Sequence, residues 1–316
     1  MQKLLSKRGI SQLVNCACLI SLTAAFSEHA LVFDLVSHFR VQYLLGFIPL
    51  FGIALYLSAW VPAGLLGVSI AMHAMAVIPA WLPVAFQDAN AAPANALRLM
   101  SANVQGSNKN HEAMIRYIRQ VDPHVLIVPE MTQKWQHVLM QQLPQFPYYS
   151  GRMQHDYFGI GVFSKQPFES QLLPIFDREH IPSVQVQIRW GEDPITLIGT
   201  HPPPPVNTGM YQSRNRHLQA MAEHVVLLNG PVVVAGDLNI TPWSGHFHRL
   251  LSESQLGDSR DGFGLQLSWP SVSILPALMP IDHILVSNNI RVLDRQTSPA
   301  IGSDHRAVWA DIVIID

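Results

Sequence analysis

Val232-Val233-Val234-Ala235-Gly236-Asp237-Leu238-Asn239 decides the fold. An unbroken β-branched run reads as a strand buried on both faces, since such a strand has no solvent side to fill with polar residues. The Gly-Asp-Leu-Asn behind it ends that run and, at i and i+2, sets Asp237 and Asn239 on one face. The same design recurs outward along the chain. Apolar runs at 97–102, 124–129 and 195–200 end in Asn103, Glu130 and His201, and Ile281-Asp282-His283 and Gly302-Ser303-Asp304-His305 flank the closing strands near Ile284 and at 308–314. Polar side chains are thus delivered to one rim of a sheet core. Carboxylates, amides and imidazoles gathered there suit a hard divalent cation and a phosphate.

Helical patterns at 110–120, 133–142 and 211–228 alternate with further strand candidates at 157–164, 183–190 and near Val292. The mixture lacks a strict βαβ rhythm, which argues for two packed sheets with helices outside rather than a doubly wound sheet. No internal repeat is visible. Pro202 to Pro205, directly after His201, predicts a stiff polyproline segment.

Upstream of 97 the chain changes character. Residues 41–87 contain no Asp, Glu, Lys or Arg, and at about 1.5 Å per residue they are long enough to cross a bilayer core of about 30 Å twice. With an apolar stretch at 10–26, this predicts a three-helix transmembrane segment over 1–87, with spans at about 10–26, 41–60 and 63–86 and a turn at Trp60-Val61-Pro62. Lys3, Lys7 and Arg8 place the N-terminus in the cytoplasm by the positive-inside rule, so three crossings leave the remainder outside it. Residues 1–28 also fit a cleaved signal peptide, and the remaining two spans give the same orientation. Between the first spans, Leu31, Leu35 and Phe39 recur at helical spacing, suiting a helix in the interface; a plain loop fits as well. A linker at 88–96 then leads into a catalytic domain at 97–316.

Cys16 and Cys18 both fall in the first span, so the outer domain has no disulfide framework. Setting aside the charges of 1–87 leaves that domain with 16 Lys and Arg against 20 Asp and Glu. It lacks the overall basic character of a non-specific nucleic-acid binder, although Arg214, Arg216, Arg249 and Arg260 offer a local patch if they converge.

Taken singly, Glu130 reads as paired or metal-bound, Asn103 as a cap or turn, and Gly-Asp-Leu-Asn as a turn. Asp282 and His305, both at strand ends, fit a carboxylate that fixes an imidazole's tautomer. No P-loop, Cys-His zinc cluster or nucleophile elbow occurs. Together, Ser101-Ala102-Asn103, Val128-Pro129-Glu130, Gly199-Thr200-His201, Gly236-Asp237-Leu238-Asn239 with Ile240-Thr241-Pro242-Trp243-Ser244, Ile281-Asp282-His283 and Ser303-Asp304-His305 resemble the endonuclease/exonuclease/phosphatase superfamily, over about 97–316. The apolar leader resembles its membrane-anchored bacterial branch.

That resemblance implies an α/β (α+β) four-layer sandwich of two packed mixed β-sheets flanked by helices, and a phosphoester hydrolase that uses Mg²⁺ or Mn²⁺. It implies Glu130 as metal ligand, with Asn103 and Asp304 beside it, and His201, Asp237, Asn239, Asp282 and His305 as catalytic residues. Asp237 or His305 is then the base, and His201 an acid or an electrostatic clamp. Asn103, Arg214 and Trp269 are expected at the substrate, although a helix-surface role for Arg214 and a core role for Trp269 stay open. Asp258-Ser259-Arg260 resembles a substrate-side loop. The implied substrate is a phosphoester in nucleic acid, a lipid head group or a small diester. The implied location is a bacterial inner membrane, multi-pass, with the catalytic domain on the periplasmic side. The competing class is an inactive membrane-tethered scaffold, which is expected to have lost a metal carboxylate or the terminal His; here every motif position is filled.

Overall fold

β-branched runs pair into two six-stranded sheets in a computed structural model that describes residues 7–82, 95–153, 157–173, 181–191, 193–271 and 279–315. The strands are β1 (Leu97–Ser101), β2 (Val125–Pro129), β3 (Tyr148–Arg152), β4 (Ile160–Ser164), β5 (Phe168–Leu173), β6 (Ser183–Trp190), β7 (Asp193–Gly199), β8 (Val232–Asp237), β9 (Leu256–Asp258), β10 (Asp282–Ser287), β11 (Ile290–Thr297) and β12 (Val308–Ile314). The helices are α1 (Lys7–Leu22), α2 (Leu31–Ser37), α3 (Arg40–Tyr56), α4 (Trp60–Val77), α5 (His111–Val121), α6 (Gln133–Gln142), α7 (Thr208–Val225) and α8 (Gly245–Ser254).

One sheet runs β11-β12-β1-β2-β4-β3 and the other β5-β6-β7-β8-β10-β9. Each is antiparallel except at its third pairing, β1 with β2 and β7 with β8, which is parallel. The two halves therefore share one topology, a repeat invisible in sequence because only the pairing is repeated.

Period-two alternation builds the layers. Val125 and Ile127 of β2 face the inter-sheet core with Leu99, Val162, Val186, Leu197, Val233 and Ile284. Leu126 and Val128 face outward onto Met114 and Ile118 of α5 and Trp135 of α6. Val234 and Leu285 do the same on the other side, against Leu218 and Met221 of α7 and Phe247 and Leu250 of α8. The result is the expected four-layer sandwich, with strands β3, β5 and β9 and helix α8 added to the elements read from sequence.

In the leader, α4 and the 3-10 turn Ile78–Trp81 form one helix, Trp60–Trp81, of 22 residues, with mean hydropathy 1.9 over its most apolar 18 residues. By length and composition this is the one described helix able to cross a bilayer alone. Ser11–Phe26 and Leu31–Ser37 qualify only as a pair bent by 107°, and Arg40–Tyr56 is shorter. The turn expected at Trp60 lies earlier, at Leu57 to Ala59, because Pro62 is tolerated in the first turn of α4, where backbone N–H groups have no intrahelical partner. Cys18, Phe47, Ala54, Ala63 and Leu66 form the small core of this unit, and Cys16 and Cys18 are free thiols. Of the expected linker at 88–96, only residues 95 and 96 lie among the described residues, and the last part of the third span lies outside them.

Candidate active site

The parallel pair at the centre of each sheet sends two strand ends to one rim. From the first sheet, β1 leads to Asn103 and β2 to Glu130; from the second, β7 leads to His201 and β8 to Asp237 and Asn239. Strand β10, antiparallel to β8 with Asp282 opposite Asp237, starts at the same rim. Strand β12 starts opposite Ser101, which brings the preceding Ser303-Asp304-His305 there too. The backbone is bent to suit: Glu130 (φ 56°) and Asn239 (φ 51°), at equivalent ends, both occupy the left-handed region that side chains disfavour. Gly236 (φ 151°) passes so near Thr200 that a Cβ would run into its carbonyl oxygen.

Asp237 lies at the centre. Its Oδ1 accepts the Asn239 backbone N–H at 2.9 Å, and its Oδ2 accepts Asn103 Nδ2 at 3.1 Å. The same Oδ2 stands 3.5 Å from both His201 Nε2 and His305 Nε2. His305 Nδ1 bonds Asp282 Oδ2 at 2.9 Å, as expected for a carboxylate that sets an imidazole. Asn239 Nδ2 donates to the Pro202 carbonyl at 2.9 Å and lies 3.3 Å from His201 Nε2. Burial alone would lower His305, but the charges of Asp282, Asp237 and Asp304 hold it well above the ordinary imidazole range. Burial works against ionised Asp237, yet His305, His201 and the Asn239 N–H keep its carboxyl low. Asp282 is pushed up by burial and by the charge of Asp237, only partly offset by His305.

Asp237, Asp282 and His305 are the described group of three whose ligand atoms lie within 4.8 Å of one another. Its imidazole and one carboxylate already bond each other, which suits proton handling. Glu130 and Asp304 line the same cavity. Glu130 accepts Asn103 Nδ2 at 3.1 Å and the Gly106 N–H at 3.0 Å. Asp304 Oδ2 faces Trp269 Nε1 at 3.4 Å, while its buried Oδ1 has no hydrogen-bond partner. An orphaned carboxylate oxygen in a cavity that a second carboxylate also lines fits a hard divalent cation. Asn103 differs from expectation. Its Oδ1 accepts the Gln105 N–H at 2.9 Å, so it turns nitrogen, not oxygen, toward Glu130 and Asp237.

Arg214 does not reach the cavity. It is fully buried, its Nη2 2.7 Å from Asp34 Oδ2 in α2, and its Nη1 donates to the Asn239 carbonyl at 3.1 Å. A buried carboxylate in the leader captures it, which corrects its expected place at the substrate. The other arginines do not reach the cavity either. Arg216 and Arg249 line a separate groove, where Arg249 pairs with Glu28, and Arg260 pairs with Asp258 in a buried network that includes Arg295 bonded to Ser259. The Asp258-Ser259-Arg260 loop is therefore built into structure rather than lining the cavity. Trp269 does line it.

Sequence reading missed several positioning groups. Ser303 Oγ donates to the Asn103 carbonyl at 2.8 Å and accepts the His305 N–H at 3.1 Å, stitching together two loops of the first sheet. Gln105 Oε1 accepts the Asp304 N–H at 3.2 Å. The strongest omission is α2. Asp34 also accepts Ser244 Oγ at 2.5 Å, His38 Nδ1 bonds Thr241 Oγ1 at 2.8 Å, and Leu35, His38 and Phe39 form one wall of the cavity, whose volume is about 750 Å³. An acidic residue on the polar side of an otherwise apolar helix was the available signal.

A four-layer sandwich with carboxylates, amides and imidazoles converging on one rim defines the class, a phosphoester-hydrolase scaffold. The sequence model of the Endonuclease/Exonuclease/phosphatase family matches residues 100–305, and the chain belongs to that family, whose members are typically phosphoester hydrolases such as nucleases and phosphatases. No curated protein matches the chain. Among solved structures, D. rerio TDP2 complexed with single-strand DNA product aligns with a TM-score of 0.59 at 15% identity, over 69% of this chain and 99% of that one. An endonuclease/exonuclease/phosphatase from Beutenbergia cavernae aligns at 0.55 and 17% identity, over 70% and 72%. SmcL aligns at 0.53 and 18% identity, over 68% and 98%. At such identities the likeness is one of fold.

Proposed function

We propose that the chain is a membrane-anchored, divalent-metal-dependent phosphoester hydrolase of the family's bacterial anchored branch, with the active site on the extracytoplasmic side of the inner membrane. The observation that carries the reading is the convergence of Glu130, Asp304, Asp237, His201 and the Asp282–His305 pair on one cavity. Glu130 and Asp304 are the residues that would hold Mg²⁺ or Mn²⁺, with Asn103 fixing the Glu130 carboxylate through its amide nitrogen. Such a cation neutralises phosphate charge and eases departure of the leaving oxygen.

The remaining roles belong to the chain itself. Asp237 takes up the proton of the attacking water, and Asp282 holds His305 Nδ1 so that the protonated Nε2 faces the reaction and gives its proton to the leaving alcohol. The water oxygen bonds phosphorus, the ester P–O bond breaks, and the alcohol leaves with a proton. His201 and Asn239 donate to phosphoryl oxygens as charge builds there, and Trp269 packs beside His305. The leader's three helices anchor the domain, with α1 and α3 completing the crossings that α4 begins. The test is hydrolysis of bis(p-nitrophenyl) phosphate by the full chain with Mg²⁺ or with EDTA. EDTA-sensitive cleavage lost in Glu130→Ala supports the reading; equal rates in both proteins contradict it.

A further inference from the structure

The cavity has two chemically different parts. One holds Glu130, Asp237, Asp304, His201 and His305; the other is apolar, with Leu35 and Phe39 of the leader facing Val206 and Met210 of the 202–210 stretch. Tyr157, Phe158, Met279 and Ile281 also line the cavity, Phe158 against His201 and Met279 opposite Trp269. Among the described residues, no Lys or Arg lines it. A nucleic-acid strand presents a row of phosphates that cations must neutralise, so this lining suits a single phosphate attached to something apolar.

The apolar part is also open. Val206 is 72% exposed, and Leu35 and Phe39 are each 38% exposed. Neighbouring Val32 on α2 is 58% exposed, so the apolar face of α2 runs out of the cavity onto the leader. This wall is fixed in place rather than loosely appended. Asp34 is tied to Arg214 and Ser244, His38 to Thr241, Glu28 to Arg249, and the Gly245 N–H donates to Ser27 Oγ at 2.8 Å. Residues that anchor the domain thus also form part of its substrate pocket.

We propose that the substrate is a phosphoester carried on a long apolar chain, a membrane phospholipid, whose chain lies along Leu35, Phe39, Val206 and Met210 while its phosphate reaches Glu130 and Asp304. This rests on the hydrolase reading above. An acyl chain laid along such a wall holds its phosphate at the polar part, so the lipid should exceed its deacylated head group by about tenfold or more in kcat/KM.

The experiment uses the full chain in mixed micelles with Mg²⁺. The substrates are phosphatidylglycerol, phosphatidylethanolamine and phosphatidylcholine, their deacylated glycerophosphodiesters, a single-stranded oligonucleotide, and bis(p-nitrophenyl) phosphate as a small reference ester. The expected result is that at least one phospholipid exceeds its deacylated counterpart and the oligonucleotide by about tenfold. The ratio of lipid to reference turnover should then fall in Leu35→Ser/Phe39→Ser and in Val206→Ser, the latter a surface change that leaves the fold's core untouched. Cleavage of the reference ester with no phospholipid preferred, or with the oligonucleotide preferred, overturns the inference while leaving the hydrolase reading in place. No cleavage of any of these esters removes both.

Discussion

Asp237 receives hydrogen bonds from Asn103 and Asn239 and lies between two imidazoles, so its charge is held by every neighbouring loop. His305 is bracketed by carboxylates, and this leads to a direct expectation. In metal-stripped protein, NMR should find its imidazole still protonated at about pH 8, well beyond the ordinary His value. Neutralising Asp282 should undo this. Asp282→Asn should lower kcat by about 10² to 10⁴ while circular dichroism stays native, because the tautomer and charge of His305 depend on that partner. Retention of full kcat would remove the dyad from the chemistry. The motif residues were legible because each ends or begins an apolar run, and strand ends project to a rim. The direction of the Asn103 amide was not, since it is set by the Gln105 N–H. Neither was the fate of Arg214, whose partner lies 180 residues away.

At the level of elements, α2 joins leader to domain. Asp34 and Arg214 are both fully buried, so truncating one leaves the other charge unpaired. Arg214→Met should cost about 3 to 5 kcal/mol in a chemical-unfolding experiment, whereas exposed Arg116→Met, paired with Glu112 at the surface, should cost under about 1 kcal/mol. Burial alone would raise the Asp34 carboxyl, but His38, Arg214 and Ser244 hold it well below the usual range. A depressed carboxyl stabilises the folded form above its unfolded pKa of about 4, and that stabilisation is lost as pH falls through the folded value. Wild type should therefore exceed Asp34→Asn in Tm at neutral pH, with the gap closing as pH drops below about 4. A constant gap would show that Asp34 acts by packing alone. Most strands and helices were legible from their apolar period. Strands β3 and β5 were not, because they lie at sheet edges and together bury only Leu173 fully, which erases the alternation. Helix α8 follows the Gly-Asp-Leu-Asn turn so closely that its Ser244 cap read as part of the motif.

Across the whole molecule, two halves of identical pairing topology face each other, and each contributes one parallel pair to the shared rim. That arrangement explains how residues spread over roughly two hundred positions reach one cavity. It was legible only in outline, since strand order depends on pairings that no local pattern records. The leader was legible as apolar helices, yet its contribution to the cavity required the long-range bonds of α2.

Hydrolysis of bis(p-nitrophenyl) phosphate by the full chain, with Mg²⁺ and then EDTA, beside Glu130→Ala, tests the central claim most directly. The account predicts metal-dependent turnover that falls by at least about 10² in the variant. Turnover that survives both EDTA and Glu130→Ala would contradict it.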